Sequence, residues 1–301
     1  MHVEAAAIYW SEVSGAPGTH SIQRANTDGT DLQVVVPGCF HLRGMTFDGV
    51  GQRIYWMELG LGKMRSANLD GSDVRDVVAI DDSSSGVVID SQAGKVYWTD
   101  CNGVAINSGQ ITGRVRRANL DGTNVEDLVT QNLVHPVGIA LDALHGKIYW
   151  TDLERNFDGL GKIQRSNLDG TDVEDILTGI DEANGLAIDV AGGHLYWTEL
   201  GAKAIQRCNL DGSGFEDVVT GVEWPVNIAL DIPEQKMYWS NAGPGTAANF
   251  IQSANMDGTN VETVLSGGFS PWGIAVVPEP SSSILILTGV SLIMSRPKRR
   301  S

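Results

Sequence analysis

The sequence predicts an all-β fold, a six-bladed β-propeller of four-stranded antiparallel blades closed by its last strand completing the first blade. Three observations predict it. A Tyr-Trp pair recurs six times, an Asn-x-Asp-Gly tetrapeptide follows each pair, and a segment of the type Gly-Ile-Ala-Leu-Asp is also present in six copies. Self-similarity at a fixed interval of about 40–50 residues marks a blade-type repeat.

The pairs stand at Tyr9-Trp10, Tyr55-Trp56, Tyr97-Trp98, Tyr149-Trp150, Tyr196-Trp197 and Tyr238-Trp239. The tetrapeptides span Asn26–Gly29, Asn68–Gly71, Asn119–Gly122, Asn167–Gly170, Asn209–Gly212 and Asn255–Gly258. The third segment reads Gly138–Asp142, with variants at Gly44–Asp48, Gly86–Asp90, Gly185–Asp189, Asn227–Asp231 and Gly273–Val277. Each unit therefore reads as four short strands rich in Ile, Val, Tyr and Trp and separated by turn residues. Strand one is the Gly-Ile-Ala-Leu-Asp segment and strand two ends in Tyr-Trp. Strand three runs into Asn-x-Asp-Gly, and strand four follows it, as in Val125–Val129. Asp-Gly supplies the positive backbone angles of a tight hairpin, and the preceding Asn can hold its approach. The Tyr-Trp pairs are expected to fill the spaces between blades, at roughly 1.5–3 kcal/mol for each large side chain buried. The chain opens on strand two (Ile8-Tyr9-Trp10) and its last repeat ends on strand one (Gly273–Val277), so the two ends complete one blade and hide two sheet edges.

Composition narrows the function. The chain has 301 residues, is 42% hydrophobic and carries a net charge of −16. That hydrophobic content suffices for a core, and the acidic balance repels phosphate backbones, so nucleic-acid binding is not expected. Cys39, Cys101 and Cys208 are sparse and lack metal-ligand spacing, which gives neither a disulfide framework nor a zinc site. No cofactor and no metal are expected. An N-terminal signal peptide is not visible, because repeat residues follow Met1 and His2 almost at once; either the start is truncated or export uses another route.

Tyr97-Trp98-Thr99-Asp100 and Tyr149-Trp150-Thr151-Asp152 resemble the YWTD motif of the low-density lipoprotein receptor class B repeats. The resemblance covers residues 8–277 and implies the six-bladed propeller independently. The other copies depart from it: Tyr9-Trp10-Ser11-Glu12, Tyr55-Trp56-Met57-Glu58, Tyr196-Trp197-Thr198-Glu199 and Tyr238-Trp239-Ser240-Asn241. The fourth motif position is acidic in five copies (Glu12, Glu58, Asp100, Asp152, Glu199), and an Arg recurs in strand three of the same five (Arg24, Arg65, Arg117, Arg165, Arg207). The sixth copy has Asn241 and Ser253. Joint loss of both charges suggests a structural ion pair within each of the five blades, since breaking one side of a buried pair costs roughly 3–5 kcal/mol.

Residues 1–277 thus form the propeller, and 278–301 read as a separate tail. Pro278-Glu279-Pro280 is followed by three serines, an apolar stretch from Ile284 to Met294, and a basic end of Arg296, Lys298, Arg299 and Arg300. As a helix, Ser281–Ser295 would measure only about 22 Å, short of a bilayer core of roughly 30 Å. Positive residues favour the cytoplasmic side, which would put the propeller outside. This order resembles the PEP-CTERM bacterial sorting signal. That resemblance implies an exosortase-type processing enzyme, cleavage near Pro278–Pro280, transient membrane anchoring by the C-terminal helix, and a secreted or cell-envelope location.

In a propeller the loops joining strand four to one and strand two to three share a face. The long irregular segments Glu12–His20, Cys101–Gly113, Leu153–Gly161 and Ala242–Asn249 all fall there, and such loops on a rigid scaffold are where recognition concentrates. The residues leading into strand one would ring the channel mouth: His41, Arg43, His135, Glu182, Asn184, Trp224 and Trp272. Aromatic residues with Arg anchor protein ligands, and flat rings stack on sugars; the alternative is that both Trp residues cap the core. The leading expectation is a non-enzymatic propeller binding a protein or a polysaccharide outside the cell. A lactonase- or lyase-type enzyme would need ligands for a channel metal. Beside Glu182 and Asn184 the matching positions hold Ser83, Ser85, Val137 and Val226, which are poor ligands. A purely structural matrix role is a third reading. Asp48, Asp90, Asp142, Asp189 and Asp231 read as turn formers.

Overall fold

The computed structural model describes residues 6–81, 83–101, 113–153, 161–244 and 249–279. In blade 1, β1 (Ala7–Glu12), β2 (His20–Asn26) and β3 (Gln33–Cys39) are completed on the inner side by β24 (Pro271–Val277). Blade 2 holds β4 (Leu42–Asp48), β5 (Arg53–Glu58), β6 (Lys63–Asn68) and β7 (Arg75–Ala79). Blade 3 holds β8 (Val87–Asp90), β9 (Lys95–Cys101), β10 (Gly113–Asn119) and β11 (Glu126–Val129). Blade 4 holds β12 (His135–Asp142), β13 (Lys147–Leu153), β14 (Gly161–Asn167) and β15 (Glu174–Ile180). Blade 5 holds β16 (Ala183–Asp189), β17 (His194–Glu199), β18 (Ala204–Asn209) and β19 (Glu216–Thr220). Blade 6 holds β20 (Pro225–Asp231), β21 (Lys236–Asn241), β22 (Phe250–Asn255) and β23 (Glu262–Ser266).

The inner strands neighbour one another in sequence around the ring, and β20 meets β24, so the propeller closes. The β1–β24 pairing sets Ile8 opposite Val276 and Trp10 opposite Ile274. The second strand runs past the Tyr-Trp pair, to Glu12, Glu58, Cys101, Leu153, Glu199 and Asn241, because the third and fourth motif residues still pair with strand three. The expected C-terminal helix and Pro280 lie outside the described residues.

Adjacent residues of a strand point to opposite sheet faces, so Tyr and Trp of one pair enter different inter-blade spaces. All six motif Trp side chains are fully buried. Tyr9 shares a core with Trp56, Tyr97 with Trp150, Tyr149 with Trp197, Tyr196 with Trp239, and Tyr238 with Trp10. The pair is a rivet between neighbouring sheets.

The Asn-x-Asp-Gly hairpin lodges against the preceding blade. Gly122 adopts φ +81°, and a Cβ there would sit 1.9 Å from the Val77 carbonyl oxygen, so both backbone angle and space demand glycine. Asp121 accepts the Thr123 backbone N–H at 3.0 Å, and the Asn119 amide donates to the Thr123 hydroxyl at 2.7 Å.

The third motif residue closes a hydrogen-bonded belt around the channel. In blade 4 the Thr151 hydroxyl accepts the Gly138 N–H at 2.8 Å and donates to the Asn184 carbonyl of blade 5 at 3.0 Å. Thr99 links Gly86 to Val137, Thr198 links Gly185 to Val226, Ser240 links Asn227 to Trp272, and Ser11 links Gly273 to Arg43. Blade 2 has Met57 at this position, and there the Gly44 N–H donates directly to the Ser85 carbonyl at 3.0 Å. A register shift in the inner strands of blades 1, 2, 4, 5 and 6 accompanies the belt, since the peptide there turns away from its own ladder.

Candidate functional site

Strand alternation puts the four-to-one and two-to-three loops on one side, the loop face, and the one-to-two and three-to-four turns on the other, the turn face. Each inner strand begins at the loop face. The residue just before the belt position is, in ring order, Arg43, Ser85, Val137, Asn184, Val226 and Trp272, each half-buried. Two residues earlier stand His41, Ser83, His135, Glu182, Trp224 and Ser270. The residues between these two rings, such as Leu42, Ala183 and Pro271, are buried. Both rings are half-buried or exposed.

The fourth motif residue holds the lead-in to its own inner strand. Glu12 accepts the Ser270 N–H at 2.8 Å, Glu58 the Phe40 N–H at 2.9 Å, and Asp152 the N–H groups of Val134 at 3.0 Å and His135 at 2.6 Å. Glu199 accepts the Glu182 N–H, and Asp100 accepts the Ser84 hydroxyl. The Trp Nε1 of the same motif donates to the acid in blades 2, 3 and 5. Thus the motif acid positions the very segment that carries the candidate residues.

This overturns four of the five expected ion pairs. Arg65 does meet Glu58, at 3.1 Å. Arg117 instead binds Glu126 and donates to the Leu168 carbonyl of the next blade at 2.9 Å. Arg165 binds Glu174 and the Leu210 carbonyl, and Arg207 binds Glu216 and the Met256 carbonyl. Arg24 approaches Asp31 at 3.7 Å and lies over the Tyr9 ring. The reason is register. Arg24, Arg117, Arg165 and Arg207 stand across from the motif Tyr and share its face, whereas the motif acid shares the Trp face. Arg65 stands across from Trp56 and so can reach Glu58. The cation that does meet Asp100 is Arg116, at 3.1 Å, together with Arg114 at 3.6 Å.

Among the predicted site residues, the structure brings Arg43 and Trp272 together across the blade 1–blade 2 boundary, with the guanidinium 4.2 Å from the indole centroid. Burial lowers the pKa of Arg43, and among the described residues no carboxylate comes within ion-pair distance of it. His41 faces His20, rings 5.8 Å apart, and its N–H donates to His20 Nδ1 at 3.0 Å. His20 is held below its usual pKa by burial and then by the His41 charge. Burial likewise lowers His135. Glu182 is raised by burial and by the Asp181 charge. Asn184 gives its carbonyl to the belt. Trp224 is 39% exposed and its carbonyl accepts the Ala242 N–H at 3.0 Å. Both His41 (φ 49°) and Trp224 (φ 53°) adopt the left-handed region, an unusual conformation for large side chains that functional loops often hold. They flank blade 1, so the aromatic and cationic residues concentrate on blades 6, 1 and 2.

Phe40, 38% exposed beside His41, was missed in the sequence; only its place next to a nominated residue could have flagged it. Among the described residues, no three His, Cys, Asp or Glu side chains gather as a metal site. The central channel encloses about 1300 Å³, is walled by apolar residues such as Val88, Ile139, Leu186 and Ile228, and reaches the turns at Ala143, Leu144 and Ala191, away from the candidate patch. Asp48, Asp90, Asp142 and Asp189 each accept a turn N–H at 2.8–3.0 Å.

Residues 94–143 match the family described as Low-density lipoprotein receptor repeat class B. Low-density lipoprotein receptor-related protein 5 of Mus musculus is 32% identical over 149 residues, covering 48% of this chain and 6% of that protein, so the chain spans a small part of the relative's length. Among solved structures, a chain of a nidogen/laminin complex superposes with a TM-score of 0.75 at 20% identity, covering 90% of this chain and 98% of the other. TolB from Acinetobacter baumannii gives 0.74 at 10% identity, covering 92% and 68%. At these identities the likeness is one of fold. The chain carries a class B repeat of the low-density lipoprotein receptor type within a six-bladed propeller.

Proposed function

We propose that this chain is an exported binding propeller, not an enzyme, that holds a protein or polysaccharide ligand on the loop face and is sorted to the cell exterior through residues 278–301 by an exosortase-type enzyme. One observation carries the binding reading. In a chain of net charge −16, Arg43 is a partly desolvated cation at the channel mouth whose close neighbour is the Trp272 ring. A guanidinium and an indole side by side offer a ligand both charge and a flat apolar surface, the usual composition of an energetic anchor. Trp224, exposed and held in a constrained backbone, stands just before the inner strand of the neighbouring blade 6.

Calorimetric titration of the full chain against a panel of glycans, peptides and calcium tests this. Arg43→Ala and Trp272→Ala remove side chains while sparing the backbone carbonyls that complete the belt. Each is expected to weaken the ligand found by roughly ten-fold, with unfolding behaviour unchanged. Affinity that survives both substitutions places the ligand elsewhere.

A further inference from the structure

β24 delivers the chain to the turn face. It starts at the loop face with Pro271 and ends with Val277 paired to Ala7, whose other partner, Asn26, opens a hairpin of the turn face. Beyond it, the Glu279 charge contributes to raising the pKa of Asp231, which closes the inner strand of blade 6 on that same face. Four residues, 280–283, separate Glu279 from the first apolar residue of the tail, Ile284. Fully extended, that link reaches at most about 18 Å. A seven-residue strand such as β24 is roughly 23 Å long, so the blades are taller than the link is long. An apolar segment leaving the turn face therefore cannot reach a surface lying against the loop face.

The turn face is suited to such a neighbour. Leu144 is 80% exposed and Val50 is 56% exposed. Both cap turns between the first and second strands, the turns nearest the axis, and Leu144 stands at the mouth of the apolar channel. Farther out, the hairpin carboxylates of Asp28, Asp70, Asp121, Asp169, Asp211 and Asp257 form an acidic rim, each kept ionised by the hydroxyl and N–H it accepts. An acidic rim disfavours an anionic lipid surface and tolerates a zwitterionic one. Apolar tips at the centre, beside the point where an apolar and basic-ended tail leaves, select a lipid surface over an acidic protein.

We infer that the turn face, centred on Val50, Leu144 and the end of β24, lies against a lipid surface, and that the Arg43–Trp272 face points away from it. This rests on the anchoring reading of residues 278–301. It makes the propeller a platform with its candidate ligand face outward.

The test uses the full chain with phosphatidylcholine vesicles containing brominated lipid. A polarity-sensitive nitrobenzoxadiazole label is placed through Leu144→Cys or, on the loop face, through Leu61→Cys, which replaces a residue 44% exposed in a two-to-three loop. The native thiols do not compete near neutral pH, because Cys39, Cys101 and Cys208 are buried and burial raises their pKa values, to about 12 for Cys39 and about 11 for Cys208. The label at position 144 is expected to brighten on vesicle binding and to be quenched by bromine, while that at position 61 is unchanged. Val50→Asp combined with Leu144→Asp is expected to lower vesicle partitioning roughly ten-fold. If the chain floats with vesicles but only the label at position 61 responds, or neither does, the orientation is wrong while anchoring stands. If the chain does not float with vesicles, anchoring and orientation fall together. A label at position 144 that becomes protected by self-association without lipid also overturns the inference.

Discussion

Thr151→Val tests whether the belt holds the ring. The substitution preserves shape, and Thr151 is fully buried, so no cavity opens. It removes one acceptor and one donor, stranding the Gly138 N–H and the Asn184 carbonyl across a blade boundary. An unpaired buried group costs about 1–3 kcal/mol, and the extra methyl returns about 1 kcal/mol. The net loss expected is about 1–5 kcal/mol, seen as a fall in the urea midpoint at constant slope and a Tm lower by roughly 2–8 °C. Thr151→Ser, which keeps the hydroxyl, should lose only about 1 kcal/mol of packing. Blade 2 shows how the reasoning could fail, because there the glycine N–H bonds directly to the next blade without a hydroxyl. If Thr151→Val costs under about 1 kcal/mol, or no more than Thr151→Ser, the ring relaxes to that direct bond and the hydroxyl relay is dispensable.

Two further outcomes follow from the same geometry. Burial pushes the Glu199 carboxyl from 4.5 to about 7, so the folded state holds its proton where the unfolded chain has released it, and stability falls as pH rises from about 4.5 to 7. Glu199→Gln should match the parent at pH near 5 and exceed it at pH near 8, by at most about 3 kcal/mol, in urea titrations at both pH values; an equal gap at the two would remove burial as the cause. Arg65→Ala should destabilise by about 3 kcal/mol, because it takes the cationic partner from the fully buried Glu58, whereas Arg165→Ala, whose acidic partner Glu174 is half-exposed, should lose about 1 kcal/mol; similar losses in denaturant melts would contradict the separation of faces.

Much of this protein was legible in its residues. The six Tyr-Trp pairs, the six Asp-Gly hairpins and the split first blade imply six sheets in a closed ring, because each signal is local: a turn needs its glycine, and a strand needs its alternation. The face of each strand-three Arg was also legible. Arg24, Arg117, Arg165 and Arg207 stand two residues before the hairpin Asn, while Arg65 stands three before Asn68, and one residue is enough to change sheet face. What lay beyond reach were relations between blades. Nothing local says that a Thr hydroxyl links its own glycine to the next blade's carbonyl, that the motif acid clasps the segment leading into its own inner strand, or that Arg43 of blade 2 rests on Trp272 of blade 1. Those partners are far apart in the chain and meet only once the ring has closed, so their chemistry is decided by tertiary packing alone.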